Sequence, residues 1–280
     1  MTGIDLNSIN YDSSSPNTFE YFKDTPLNCK TTMTFPLNIL MIGDSVNEYL
    51  IKDNCERYWN GTYLSTWSDK FTYKNGSGTT GCQSSWGFIG HAHVYGSALR
   101  GPYLHKLYEK KDDQYMDTIV RIPLVVHEFK NAIGEPSFIF YRTELWDLHE
   151  HGGWNGHPVL ADTPLKKRLL MKKYISDYSV ILNHIRHASP KSYIGLHTVP
   201  TITWGAALFY HYIFSMQYIA SSTADVFLMD WNKLIHLYER DGGKVLRDGH
   251  HPSLELSLYF GTLMVDAFSA WLKNCQLITL

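Results

Sequence analysis

Read for its apolar and polar positions, the chain alternates short apolar runs with stretches of helical period. Residues 37–43, LNILMIG, are a short apolar run closed by a turn signal, the pattern of a strand buried on both faces. SVNEYLIKDN follows as a short helix, and GFIGHAHVYG regains strand character, ending at Gly96. TIVRIPLVVHEF and PSFIFYRTELWDL each contain a further strand on this reading. In TPLKKRLLMKKYISDYSVILNHIRHA, Leu165, Leu169, Leu170, Tyr174, Tyr178, Ile181 and Ile185 recur at three- and four-residue spacing with lysines between them. That periodicity predicts an amphipathic helix. SYIGLHTVP predicts a strand, Gly205 to Ala220 an apolar helix, and DVFLMDW the last strand. SLELSLYFGTLMVDAFSAWLKNC predicts a closing amphipathic helix.

Strands alternating with helices imply an α/β fold, a three-layer α/β/α sandwich around a mainly parallel central sheet. The expected organisation is an irregular Ser-, Asn-, Thr- and Pro-rich arm over residues 1–35. One domain follows over 36–280, with a Gly-, Ser-, Thr- and Trp-rich excursion of hairpin character at 55–87.

Composition changes this picture little. The 280 residues carry a net charge of -2, so no global basic footprint points to nucleic acid or an anionic membrane surface. The segment Ser192–Ala224 lacks Asp, Glu, Lys and Arg and has the length of a membrane span. His211, Gln217 and several Ser and Thr interrupt it, which favours a helix packed on the sheet. The polar opening MTGIDLNSINYDSSS does not read as a signal peptide. Cys29, Cys55, Cys82 and Cys275 form no CxxC pair, which argues against a zinc ribbon. Cys55 and Cys82 would suit a disulfide in an exported protein, and the sequons at Asn60 and Asn75 between them point the same way.

Candidate chemistry gathers at two places. Active sites of parallel α/β sheets lie at the carboxyl ends of strands. There the first strand ends in Gly43-Asp44-Ser45 and turns into a helix. Ser45 would be a nucleophile whose own backbone N–H points at a developing negative charge. A serine needs a base, and the base needs an orienting partner. Near the other end, RDGHHPS sets Asp248 and His251 three residues apart, immediately before a helix. His250 competes as the base, and the three-residue spacing favours His251.

Gly-Asp-Ser after the first strand, with Asp-X-X-His-Pro before the last helix, resembles the GDSL/SGNH hydrolase superfamily, from about residue 37 onward. The resemblance implies the flavodoxin-like version of the sandwich, Ser45 as nucleophile, His251 as general base and then acid, and Asp248 as its orienting group. It also implies an oxyanion hole from the Ser45 N–H and a glycine after the second strand, Gly96 or alternatively Gly78. The usual Gly-X-Asn-Asp block is missing. Arg142 stands where its asparagine would, as an oxyanion donor or as a structural ion pair with Glu144 or Asp147. Trp146-Asp147-Leu148 is similar to the PC-esterase branch, which includes the trichome-birefringence-like polysaccharide acetyltransferases. On this resemblance Asp44, Trp146 and Trp154 are candidate substrate-binding residues.

The implied reaction is hydrolysis of O-acyl esters, O-acetyl first among them, on a small molecule or carbohydrate, with no metal and no organic cofactor. The alternatives are O-acyl transfer to a carbohydrate hydroxyl, and a non-catalytic binding module on the same fold. His91 and His93 share one face of a strand as metal ligands sometimes do, and His149, His151 and His157 cluster without HExxH spacing. In a chain of 14 histidines such clusters are expected, and a metal site is the lesser reading.

Overall fold

The apolar run at 37–43 becomes the middle strand of a seven-stranded sheet in a computed structural model of the chain. The structure describes residues 36–73, 76–94, 96–97, 99, 117–151, 162–198, 206–232, 235, 244–249 and 251–278; side chains of 72–73, 76–77, 149–151, 206–207 and 269–278 are not described. The expected arm at 1–35 lies outside these residues.

The strands are β1 (Leu37–Gly43), β2 (Thr62–Leu64), the small pair β3 (Thr72–Tyr73) and β4 (Gly76–Ser77), β5 (Thr79–Ser84), β6 (Gly87–His93), β7 (Phe138–Tyr141), β8 (Tyr193–His197) and β9 (Val226–Met229). The helices are α1 (Ser45–Cys55), α2 (Thr118–Ala132), α3 (Glu144–His151), α4 (Pro164–Ala188), α5 (Ala206–Ser222) and α6 (Leu254–Ile278). In the order β2-β5-β6-β1-β7-β8-β9, the five strands from β6 to β9 run parallel. Segment 55–87 supplies the antiparallel edge, β5 against β6 and β2 against β5.

Helices cover both faces. Leu50 and Ile51 of α1 meet Phe260, Met264 and Phe268 of α6 in one core. Val125, Val126 and Phe129 of α2, Tyr178 and Ile181 of α4, and Tyr212 and Met216 of α5 fill the other. The parallel strands thus have the order 2-1-3-4-5 of a flavodoxin-like sheet, in which the switch point beside the first strand is where ligands bind.

Two expectations are corrected. TIVRIPLVVHEF is the helix α2, with Ile122, Val125, Val126 and Phe129 buried. Its β-branched residues read as a strand, but the buried set follows the three-and-four step of a helix. In α4 the predicted stripe is buried only from Met171 onward, while Leu165 and Leu169 face solvent.

Cys55, closing α1, is bonded to Cys82 on β5, with Cα atoms 5.5 Å apart. Among the described residues no helix is long and apolar enough to cross a membrane.

Candidate active site

β1 delivers Asp44 and Ser45 to the carboxyl edge of the sheet. Asp44 caps α1, its Oδ1 accepting from the Val46 N–H at 3.0 Å. A cap of this kind stabilises a helix by about 1 kcal/mol, and here it also sets Ser45 as the first helical residue. The Ser45 N–H is therefore one of the donors an α-helix leaves without an internal partner.

The chain returns 206 residues later. Ser45 Oγ lies 2.8 Å from His251 Nε2, and His251 Nδ1 lies 2.8 Å from Asp248 Oδ2. The other Asp248 oxygen accepts from the His251 backbone N–H at 2.9 Å, so one carboxylate holds both ring and backbone. Gly249 makes the tight turn between them at φ +67, a conformation that favours glycine. A bridge between Leu246 and Pro252, and the bond from Arg247 N–H to His251 C=O at 3.0 Å, close the loop. His250 lies outside the described residues.

Sequence reasoning passed over the residues that dock this loop. Ser45, Tyr49 and Asp53 stand at i, i+4 and i+8 on α1, one above another. The Tyr49 ring is 4.5 Å from the His251 ring, and the Arg247 guanidinium lies 4.6 Å from the Tyr49 centroid. Asp53 then pairs with Arg247, whose Nε donates to the Pro252 carbonyl at 2.6 Å. The four-residue spacing from Ser45 was a readable signal for Tyr49 and Asp53; nothing local marked Arg247.

The oxyanion candidates separate. Gly96 follows β6, the neighbour of β1, and its φ of +90 again suits glycine. The N–H of Gly78, the alternative, donates to the Phe71 carbonyl at 2.6 Å. The loop bearing Gly96 is tied down by Asp147, whose Oδ1 accepts from Ser97 N–H at 3.0 Å and from Ser97 Oγ at 2.8 Å. Asp147 Oδ2 accepts from Thr143 Oγ1 at 2.9 Å. The Trp-Asp-Leu block thus contributes an anchor.

Of the two readings given for Arg142, the structure shows the geometry of the ion pair, with Glu144 and with Asp44. It is 0 % exposed, with Nη2 donating to Asp44 Oδ2 at 3.2 Å and Nε 3.3 Å from Glu144 Oε2, within ion-pair distance but misaligned for a hydrogen bond. Asp44 is fully buried, with its oxygens accepting from Val46 N–H and Arg142 Nη2. Burial pushes the Glu144 carboxyl up to about 8, against the opposing pull of Arg142. One guanidinium offsets one carboxylate, and the second takes up a proton more readily than it ionises in a dry core. Tyr174 and Tyr178 hydroxyls donate to Glu144 Oε1 at 3.3 and 3.4 Å.

Trp146 is half-buried, edge-on to His93 at 6.4 Å, while Trp154 lies outside the described residues, as does His157. The side chains of His149 and His151 are not described. His91 and His93 do share a face, with rings 5.5 Å apart. Burial holds His91 down to about 4 and His93 well below the usual histidine value. Among the described residues no group of three or more His, Cys, Asp or Glu is placed to hold a metal ion.

No protein-family model and no curated protein matches the chain. Among solved structures it is similar to a carbohydrate esterase family 3 protein from Talaromyces cellulolyticus, at 13% identity and a TM-score of 0.45 over 85% of this chain and 99% of that one. It is similar to a carbohydrate esterase family 2 enzyme with a carbohydrate-binding domain from Corynascus thermopiles, at 15% identity and a TM-score of 0.44 over 86% and 68%. A peptidoglycan O-acetylesterase aligns at 12% identity and a TM-score of 0.44, over 94% of this chain and 97% of that one.

Proposed function

We propose that this protein is a serine ester hydrolase that cleaves O-acyl groups, acetyl first among them, from a carbohydrate alcohol. The observation that carries the reading is the unbroken hydrogen-bonded line Ser45 Oγ–His251–Asp248, at 2.8 Å for each link.

His251 Nε2 takes the Ser45 proton as Oγ attacks the ester carbonyl, and Asp248 steadies the imidazolium. The tetrahedral oxyanion is met by the N–H groups of Ser45 and Gly96. His251 then gives its proton to the departing alcohol, leaving an acyl-Ser45. Water, deprotonated by the same imidazole, attacks the acyl carbon and releases the acid with Ser45 restored. The carbohydrate alcohol rests on the likeness of Trp146-Asp147-Leu148 to PC-esterases. The Cys55–Cys82 bond supports an oxidising compartment as the workplace.

A screen of p-nitrophenyl acyl esters and acetylated sugars, against wild type and Ser45→Ala, tests the proposal. Acetyl esters are expected to turn over best, with kcat falling at least about a thousandfold in Ser45→Ala. Turnover that survives Ser45→Ala overturns it.

A further inference from the structure

The apolar stripe of α4 outruns its burial. Leu165 and Leu169 are 64% and 58% exposed, and on the neighbouring α5 Phe214 and Tyr218 are 64% and 58% exposed. Tyr210, Phe214 and Tyr218 stand at i, i+4 and i+8, so they form one ridge. Among the described residues, five of the nine exposed large apolar side chains, counting Tyr210, belong to these two helices, where an even scatter would need no explanation. Between the helices runs a groove of about 600 Å³, lined by Lys167, Arg168 and Lys172 on the α4 side and by His211, Phe214 and Tyr218 on the α5 side.

Among the described residues that line the groove, the charged side chains are all basic. On α4, Lys166 pairs with Asp162 and Lys173 with Asp177, while Arg168 and Lys172 line the groove. α5 has no charged residue, so no carboxylate on it offsets them. The chain's net charge of -2 hides this local excess.

We propose that the α4–α5 face docks on an anionic lipid surface. Cationic heads flanking exposed Leu, Phe and Tyr are the pattern of an element lying in a membrane interface, with long basic side chains reaching the headgroups. A second copy of the chain is a poorer occupant, because a two-fold contact would set Arg168 and Lys172 against their own counterparts. A hydrated acidic polymer would satisfy the charges but leave Leu165 and Leu169 without a partner. The C-terminus of α4 leads into the start of β8. The exposed first turns of α4 therefore lie toward the strand ends, where Ser45 sits, and attachment here would hold the site close to the lipid surface.

Co-sedimentation with phosphatidylcholine vesicles, with and without phosphatidylserine, tests this on the full chain. Binding is expected only with phosphatidylserine and is expected to weaken with salt. Arg168→Gln with Lys172→Gln should lower it about thirtyfold, at roughly 1 kcal/mol per basic residue. Leu169→Ser with Phe214→Ser should lower it about tenfold or more without altering the salt dependence. Circular dichroism and the reactivity of Ser45 should stay as in wild type in both variants, since neither pair touches the site. The readout is independent of ester turnover, so a failed esterase assay leaves the docking test intact. Absence of binding to phosphatidylserine vesicles, binding unchanged in either variant, or self-association that Leu169→Ser with Phe214→Ser abolishes would each overturn the proposal.

Discussion

Tyr49 packs its ring 4.5 Å from the imidazole of His251, and Arg247 covers the same tyrosine while pairing with Asp53. The helix that starts with Ser45 therefore also grips the loop that brings its partner, through a stripe four and eight residues further on. Arg247→Ala should lower kcat about ten- to a hundredfold with little change in KM, because a small displacement of the base misaligns proton transfer. Tyr49→Phe keeps the ring and should stay near wild type, whereas Tyr49→Ala should fall with Arg247→Ala. Steady-state kinetics on an acetyl ester check this, and kcat unchanged in Arg247→Ala would remove the clamp from the account.

Asp147 and Ser97 set a second expectation. Losing the Ser97 hydroxyl bond in Ser97→Ala loosens the loop that carries Gly96 but leaves the Ser97 N–H bonded to Asp147. A lost oxyanion donor costs about a hundred- to a thousandfold, so a loosened one should cost about tenfold in kcat. Asp147→Ala removes both bonds and the Thr143 contact, and it should lose more activity together with thermal stability. Kinetics and melting curves on the two variants separate the effects.

Glu144 makes stability fall with rising pH between its unfolded value and about 8. Its folded-state value, about 8, lies above the ordinary 4.5, so the unfolded chain releases this proton far more easily. The stabilisation is complete below the unfolded value and is lost as pH rises through about 8. Between the two values the loss runs at on the order of 1.4 kcal/mol per pH unit, and it levels off above about 8. Melting temperatures across this range should fall for wild type and stay flatter for Glu144→Gln. Parallel curves would show that Glu144 is not the group.

The Cys55–Cys82 bond closes a separation of 27 residues between the end of α1 and the sheet edge. In the chain-entropy account a loop of this length contributes about 3.5 kcal/mol. Cys55→Ser should therefore lower the denaturant midpoint markedly, and reductant should shift wild type toward it. A midpoint indifferent to both would remove the bond from the native protein.

Much of the layout was legible in the chain. LNILMIG, SYIGLH and VFLM announced strands because a strand buried on both faces leaves an unbroken apolar run. α2 was misread because Ile and Val suit both states, and only the buried set at 122, 125, 126 and 129 separates them. Gly-Asp-Ser and Asp-Gly-His-His could be picked out by their short-range spacing, and the fold brings His251 within hydrogen-bond distance of both Ser45 and Asp248. Arg142 could be read only as far as two alternatives, since an oxyanion donor and a buried ion-pair centre have the same spelling. Its task depends on Asp44, 98 positions away, and on a burial the sequence does not display. Arg247 was hidden for the same reason, its partner Asp53 lying 194 positions distant.

The most direct test of the central claim is labelling with a fluorophosphonate probe, read by mass spectrometry of the modified peptide. The expected adduct is on Ser45 alone, forming readily in wild type and in Ser97→Ala but not in His251→Ala, where the hydroxyl has lost its base. An unmodified Ser45 in folded wild type, or equal labelling in His251→Ala, would contradict the claim that this serine is an activated nucleophile.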